Sequence, residues 1–214
     1  MEAPLRSADD FDAFYAGSVL GITAQMYPII CSRAQTEHCV QEAYARAWQR
    51  WGRLSYRAYR RIDREAMIRI VALRVSMYGW QSLYGWNGRR SAVPQEDQPA
   101  VITALRQLQA ADRQVLVLHY LVGKPVDQIA GEVGIPAGTV RSRLARGQRG
   151  LAGMSGDPGQ LLADVAAGVV ATTAPRPAHE IRERGDSRRR HEALRVLAAV
   201  LVLAAIGSAV SVLS

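Results

Sequence analysis

The chain has only two cysteines, Cys31 and Cys39, among 214 residues. Two cannot build the disulfide framework of a small secreted domain. His38 beside Cys39 adds one imidazole, but two sulfurs and one imidazole leave a tetrahedral zinc site a ligand short, so no metal is expected. No carboxylate pair, nucleophile constellation or phosphate-binding loop stands out, which argues against an enzyme, and no cofactor is expected. Met1 to Asp12 carries acids and lacks an apolar core, so a secretory signal is not expected and the N-terminus should stay in the cytoplasm. Lysine is almost missing: of 27 basic residues only Lys124 is one. That scarcity reads as the codon bias of a GC-rich genome.

A more telling absence is local. From Val133 to Gly156 there is no acidic residue, yet Arg141, Arg143, Arg146 and Arg149 all occur. A merely solvated helix face usually mixes signs and gains i,i+4 pairs. The net charge of +8 and pI near 10.1 favour an anionic partner, either nucleic acid or an acidic membrane surface.

The acid-free stretch belongs to a larger pattern, VDQIAGEVGIPAGTVRSRLARGQRGL, Val126 to Leu151. Ile129 and Val133 lie four apart on one face, and Gly134 follows where a left-handed turn is cheapest. Pro136 sits where a second helix begins, since its missing N–H costs nothing in a first turn. Val140 and Leu144 bury one side of that helix, leaving Arg141, Ser142, Ala145 and Arg146 on the other. Two short helices at a sharp glycine turn, the second basic outward, predict a helix-turn-helix; the plainer reading is an αα-hairpin with a solvated arginine face.

The string GIPAGTVRSRLARGQRGL closely resembles the region 4 signature of extracytoplasmic-function (ECF) sigma factors of the actinobacterial type. Their G-T-V-[KR]-S-R-L core is present from Gly138 to Leu144 without a mismatch. The resemblance implies that Arg141, Ser142 and Arg146 approach the −35 promoter element, with Thr139 and Arg143 on its backbone. Arginine can read guanine with two hydrogen bonds, and serine serves base or phosphate. Because Val140 and Leu144 face inward, replacing Arg141 or Arg146 is expected to spare the fold. Ahead of this motif, VITALRQL and ADRQVLVLHYLVG read as helices, with Leu105, Leu108, Val115, Leu116 and Leu118 packing behind the recognition helix.

Nearer the N-terminus, residues 10 to 33 are apolar enough for a buried helix or two. Phe11, Phe14, Tyr15 and Leu20 are candidate core, with a break or kink near Met26 because Pro28 removes a hydrogen bond. In TEHCVQEAYARAWQRWGRL, Val40, Tyr44, Ala47 and Trp51 recur at helical spacing, Thr36 and Glu37 suit the first turn and Gly52 the end. VQEAYARAW resembles sigma region 2.2, which implies that Glu37, Gln41 and Glu42 bind the polymerase clamp. His38 stands where that family usually has Asp. In RLSYRAYRRI, arginines alternate with tyrosines, a composition that suits either single-strand binding by stacking and phosphate contacts or a solvated basic loop with half-buried tyrosines. By its position the resemblance implies −10 element contacts from Tyr56, Arg57 and Tyr59. REAMIRIVALRVSMYGW places Met67, Val71, Val75 and Tyr78 on one stripe and resembles region 2.3 to 2.4, adding Arg74 to the −10 set. Met67 replaces a usual Trp there, and Arg74 a usual Asn, an exchange that suits phosphate better than base selection.

The expected fold is therefore all-α: a sigma region 2-like bundle over 10–86, a linker over 87–99 and a region 4-like helix-turn-helix domain over 100–153. A basic, largely irregular linker follows over 154–195, in which QLLADVAAGVV reads as a short helix stopped by APRP, and then an apolar C-terminal helix over 196–214. The linker Asn87 to Pro99 reaches at most about 45 Å. Val196 to Ser214 carries no charge and follows Arg188, Arg189, Arg190 and Arg195. As a helix it is about 28 Å long, near the bilayer's roughly 30 Å. The expectation is a single-pass anchor on the cytoplasmic face of the membrane, against the opposing reading of a helix folded back on the domains. By resemblance the partners are core RNA polymerase, promoter DNA and an anti-sigma factor. The rival is a membrane-anchored helix-turn-helix regulator that no longer acts as a sigma factor.

Overall fold

In the computed structural model the residues described are 7–54, 64–76, 99–191 and 194, and all the regular structure among them is helical. Helix α1, Ala8–Ile30, starts at Ser7, whose hydroxyl accepts from the Asp10 N–H at 3.1 Å, and Asp9 and Asp10 place negative charge at its positive end. Phe11, Tyr15, Val19, Ile22 and Met26 form its buried stripe. Phe14 and Leu20, expected in the core, are only partly buried. The helix runs unbroken past Met26 through Pro28. Pro28 falls in the last turn, and the chain leaves the helix at Cys31, a left-handed residue with φ 58° whose N–H bonds the Tyr27 carbonyl at 2.7 Å.

Helix α2, Arg33–Leu54, lies along α1. The expected stripe of Val40, Tyr44, Ala47 and Trp51 is buried, and Trp48 joins it. Phe11 sits between the Trp48 and Trp51 rings, with centroids 5.2 and 5.1 Å away, and Tyr15 meets Tyr44 edge-on at 4.9 Å. Such aromatic pairs add to the stabilisation from area burial alone.

Helix α3, Arg64–Arg74, packs on both. Its buried residues are Ala66, Ile68, Arg69 and Ala72, with Val75 just beyond, whereas Met67 and Val71 are only partly covered. Tyr78 lies outside the described residues. MIRIVAL is apolar nearly all round, so spacing could not choose the face. Arg69 is 2 % exposed and is held by Gln25 at 3.1 Å and by Glu132 at 3.3 Å, across to the second half of the chain.

That half contains α4, Ala100–Gln107, and α5, Ala110–Leu116, which continues into a π-helical turn, Val117–Leu121. Helices α6, Val126–Val133, and α7, Ala137–Leu151, complete it. Leu105, Val115, Leu116 and Leu118 are buried as expected, together with Ile102, Ile129, Val140 and Leu151. It abuts the end of α1, where Arg106 donates to the Cys31 carbonyl at 2.7 Å and Arg113 to the Ile29 carbonyl at 2.6 Å. Two guanidinium groups thereby satisfy carbonyls that a helix C-terminus leaves open, at its negative end.

The stretch expected to be a largely irregular linker, 154–195, is mostly helical instead. Helix α8, Pro158–Thr172, opens at Asp157, whose carboxylate accepts from Gly159 and Gln160 N–H, with Pro158 in the first turn. Leu162, Val165, Ala166 and Val169, at i, i+3, i+4 and i+7, bury one face, and α8 packs on α1, α4 and the π-turn. After an extended step over 173–177, helix α9 occupies 178–191. The Tyr15 hydroxyl donates to the Arg176 carbonyl at 2.9 Å; burial, then Glu180, pushes that phenol up to about 12, so it stays a donor.

Among the described residues α1 is the one helix long and apolar enough to cross a membrane, but its stripe is spent on α2, α3 and α8. The expected anchor 196–214 lies outside the described residues. If α8 is part of the core, Leu162→Ala should lower stability by about 2 to 5 kcal/mol, while Val170→Ala, on its exposed side, should stay within about 0.5 kcal/mol. Urea unfolding midpoints of the two variants make the comparison; equal, small effects would mean that α8 does not hold the fold together.

Candidate nucleic-acid interface

Helices α6 and α7 meet at Gly134, which takes φ 73° and donates its N–H to the Ala130 carbonyl at 2.9 Å. Pro136 is the cap of α7, one residue before its first turn, and its carbonyl accepts from Thr139 and Val140. Val140, Leu144 and Leu151 lock α7 into the domain core. Gly147 lets it approach closely, since a Cβ there would fall 2.5 Å from the Leu116 side chain. The opposite side of α7 presents Gly138, Arg141, Ser142, Ala145, Arg146 and Arg149 as exposed residues, with Thr139 and Arg143 partly covered. With no acid in this helix, the open face has one sign.

Of the five residues expected at the −35 element, Arg141 stands exposed and Ser142 is exposed with its hydroxyl donating to the Thr139 carbonyl at 2.9 Å. Arg146 is engaged. Its guanidinium grips the buried Asp112 carboxylate through Nε at 3.1 Å and Nη2 at 2.8 Å, tying α7 to the first turn of α5. This contact bears against the expectation that Arg146 can be replaced without touching the fold. Arg149, left aside in that set, is exposed on the same helix.

The residues expected at polymerase are held by the chain itself. Glu37 pairs with Arg33 at 3.2 Å, and the same guanidinium donates to Thr172 and Thr173 at the C-terminal end of α8. Gln41 accepts from Arg184 at 3.0 Å, and Glu42 pairs with Arg46 and with Arg188. Burial, then the cations Arg184, Arg188 and Arg46, push His38 below the ordinary imidazole value, favouring its neutral form. Of the −10 set, Arg74 is exposed at the end of α3, whereas Tyr56, Arg57 and Tyr59 lie outside the described residues. The buried thiols Cys31 and Cys39 form no disulfide, and burial pushes Cys31 up.

Sequence reasoning missed two residues that matter here, Arg69 and Asp112. Arg69 had a signal, an i,i+4 spacing from Glu65 that the structure uses at 3.7 Å. Asp112 had none, because its partner Arg146 is 34 residues away.

The geometry is that of a helix-turn-helix with a basic, exposed second helix. Residues 99–149, spanning α4 to nearly the end of α7, match the family described as Sigma-70, region 4. No curated protein matches the chain. The match supports a sigma-70-type DNA-binding role in transcription initiation for this segment.

Since Asp112 is 3 % exposed, removing its partner strands a buried charge. Arg146→Ala is expected to lower the thermal and urea midpoints, whereas Arg141→Ala should leave both unchanged. Equal midpoints for the two variants would show that the Asp112 pair is not structural.

Proposed function

We propose that this chain is a sigma factor of the ECF type, which brings core RNA polymerase to promoters. The observation that carries the reading is the exposed arginine face of α7 within a segment matching sigma-70 region 4. In this reading α7 lies in the major groove at the −35 element. Arg141 and Ser142 meet base edges, Thr139 and Arg143 the backbone, and Arg146 contributes charge from its position on Asp112. The region 2-like half, residues 10–86, supplies Glu37, Gln41 and Glu42 for polymerase and Tyr56, Arg57, Tyr59 and Arg74 for the −10 element. Residues 87–99 link it to the region 4-like half. The charge-free Val196 to Ser214 tethers the chain to the cytoplasmic face of the membrane, and an anti-sigma factor is a natural regulator.

A second reading, a helix-turn-helix regulator that no longer acts as a sigma factor, is favoured by one observation: Gln41 and Glu42 are occupied from within. Run-off transcription with purified core polymerase separates the two. Promoter-directed transcripts are expected, and DNA binding without transcripts from any form of the protein would favour the regulator.

For the recognition helix, Arg141→Ala should cost about 1 to 3 kcal/mol of specific promoter affinity at fixed salt. Unchanged affinity in a binding titration removes Arg141 from the base-reading set. The tethered protein is expected to sediment with membranes and resist alkaline carbonate, because apolar burial is insensitive to ionic screening. Recovery in the soluble fraction at low salt would remove the anchor from the reading.

A further inference from the structure

The C-terminal helices bind the first half of the chain in two different ways. Helix α8 is fastened by apolar side chains, Leu162, Val165 and Val169. Helix α9 has one fully buried apolar residue, Ile181, and otherwise attaches through polar contacts strung along α2. Arg184 donates to Gln41 at 3.0 Å, Gln49 to the Gly185 carbonyl at 3.2 Å and the Trp48 indole to Asp186 at 3.1 Å, while Arg188 pairs with Glu42. Arg182 grips Asp12 of α1 at 2.9 Å and lies over the Trp48 ring. The two backbones nearly touch: a Cβ on Gly185 would fall 2.7 Å from the Ala45 carbonyl oxygen and 2.9 Å from the Trp48 ring.

Partly exposed ion pairs are individually weak and salt-screened, so α9 is held by weaker contacts than the apolar face of α8. The extended step 173–177, with Pro175 and Pro177, separates it from α8, so its departure need not disturb the α8 core. Its charge suits the site: arginines face the acid and amide of α2, standing in for a basic partner.

We propose that α9 is an intramolecular cover of the α2 face, which keeps Gln41 and Glu42 occupied until it is displaced. The inference rests on the reading of that face as the polymerase-docking surface. The chain then exists in a closed form, with the arginine face of α7 open to DNA and the α2 face shut, and an open form in which both are available.

Two full-length variants test it without touching α2 or α7. Gly185→Leu inserts a side chain where backbone and ring leave no room, and the double variant Arg184→Glu with Arg188→Glu sets acid against Glu42. Hydrogen exchange of the 178–191 peptide reads docking, because a helix that loses its tertiary packing is marginal in water. Titration with core polymerase reads the consequence, and −35 DNA binding checks that the variant is folded. The expected result is loss of protection in α9, at least tenfold tighter core binding and unchanged DNA binding. Loss of protection with core affinity unchanged would overturn the cover while leaving the sigma reading intact. Protection already absent in the parent, or unmoved by either variant, would overturn the docking itself. If no form binds core while all bind −35 DNA, the polymerase reading falls, and the occlusion with it.

Discussion

The stripe of α1 from Phe11 to Met26 is shared by α2, α3 and α8, and the carbonyls at its C-terminal end are taken by Arg106 and Arg113. One helix thus holds both halves of the molecule by two kinds of force. Along its length burial is apolar and non-directional, so it sets how tightly the elements pack. At its end the contacts are directional, two guanidinium groups on two carbonyl oxygens, and they fix where the DNA-binding half sits. Arg69, between Gln25 and Glu132, makes a second directional contact across the same boundary. A buried ion pair of this kind adds little net stability over an apolar substitute. Its directional geometry joins α3 to Gln25 of α1 and Glu132 of α6 through one side chain.

The same division of labour runs through the C-terminal helices. Helix α8 belongs to the core by its apolar face, whereas α9 is attached mainly by arginines, amides and a close glycine approach. In the sigma-type reading, this places a removable element over the surface that meets a large partner and leaves the DNA-reading helix uncovered. Arg146 illustrates the reverse case. A residue on the DNA-reading helix also carries a structural bond, so its charge is held in place at the expense of its freedom to search for a base.

How much of this was legible in the sequence differs from element to element. The α6–α7 unit was readable because all its determinants are local: Gly134 for the turn, Pro136 at the helix start, Val140 and Leu144 four apart and an acid-free arginine face. The stripe of α2 was readable for the same reason. The inward face of α3 was not, because its apolar residues go round the helix and only neighbours choose among them. Within 154–195 the short helix in QLLADVAAGVV was legible, whereas the helical state of 178–191 was not. QLLADVAAGVV carries its apolar residues at i, i+3, i+4 and i+7, and packing of that face on α1 adds to the helix. Helix α9, full of charge, gave no sign from its own composition that it would find partners on α2.

The sequence by itself determined the all-helical class, the helix-turn-helix and the sign of its outer face, since spacing, turn residues and charge act over a few residues. Only the tertiary structure decided that Arg146 is tied to Asp112, that Arg69 lies buried between the halves, and that Gln41 and Glu42 are occupied by Arg184 and Arg188. Each of those contacts joins residues 34 or more apart in the chain. Which of many arginines meets which acid is settled by the packing that brings them together, and no local pattern records it.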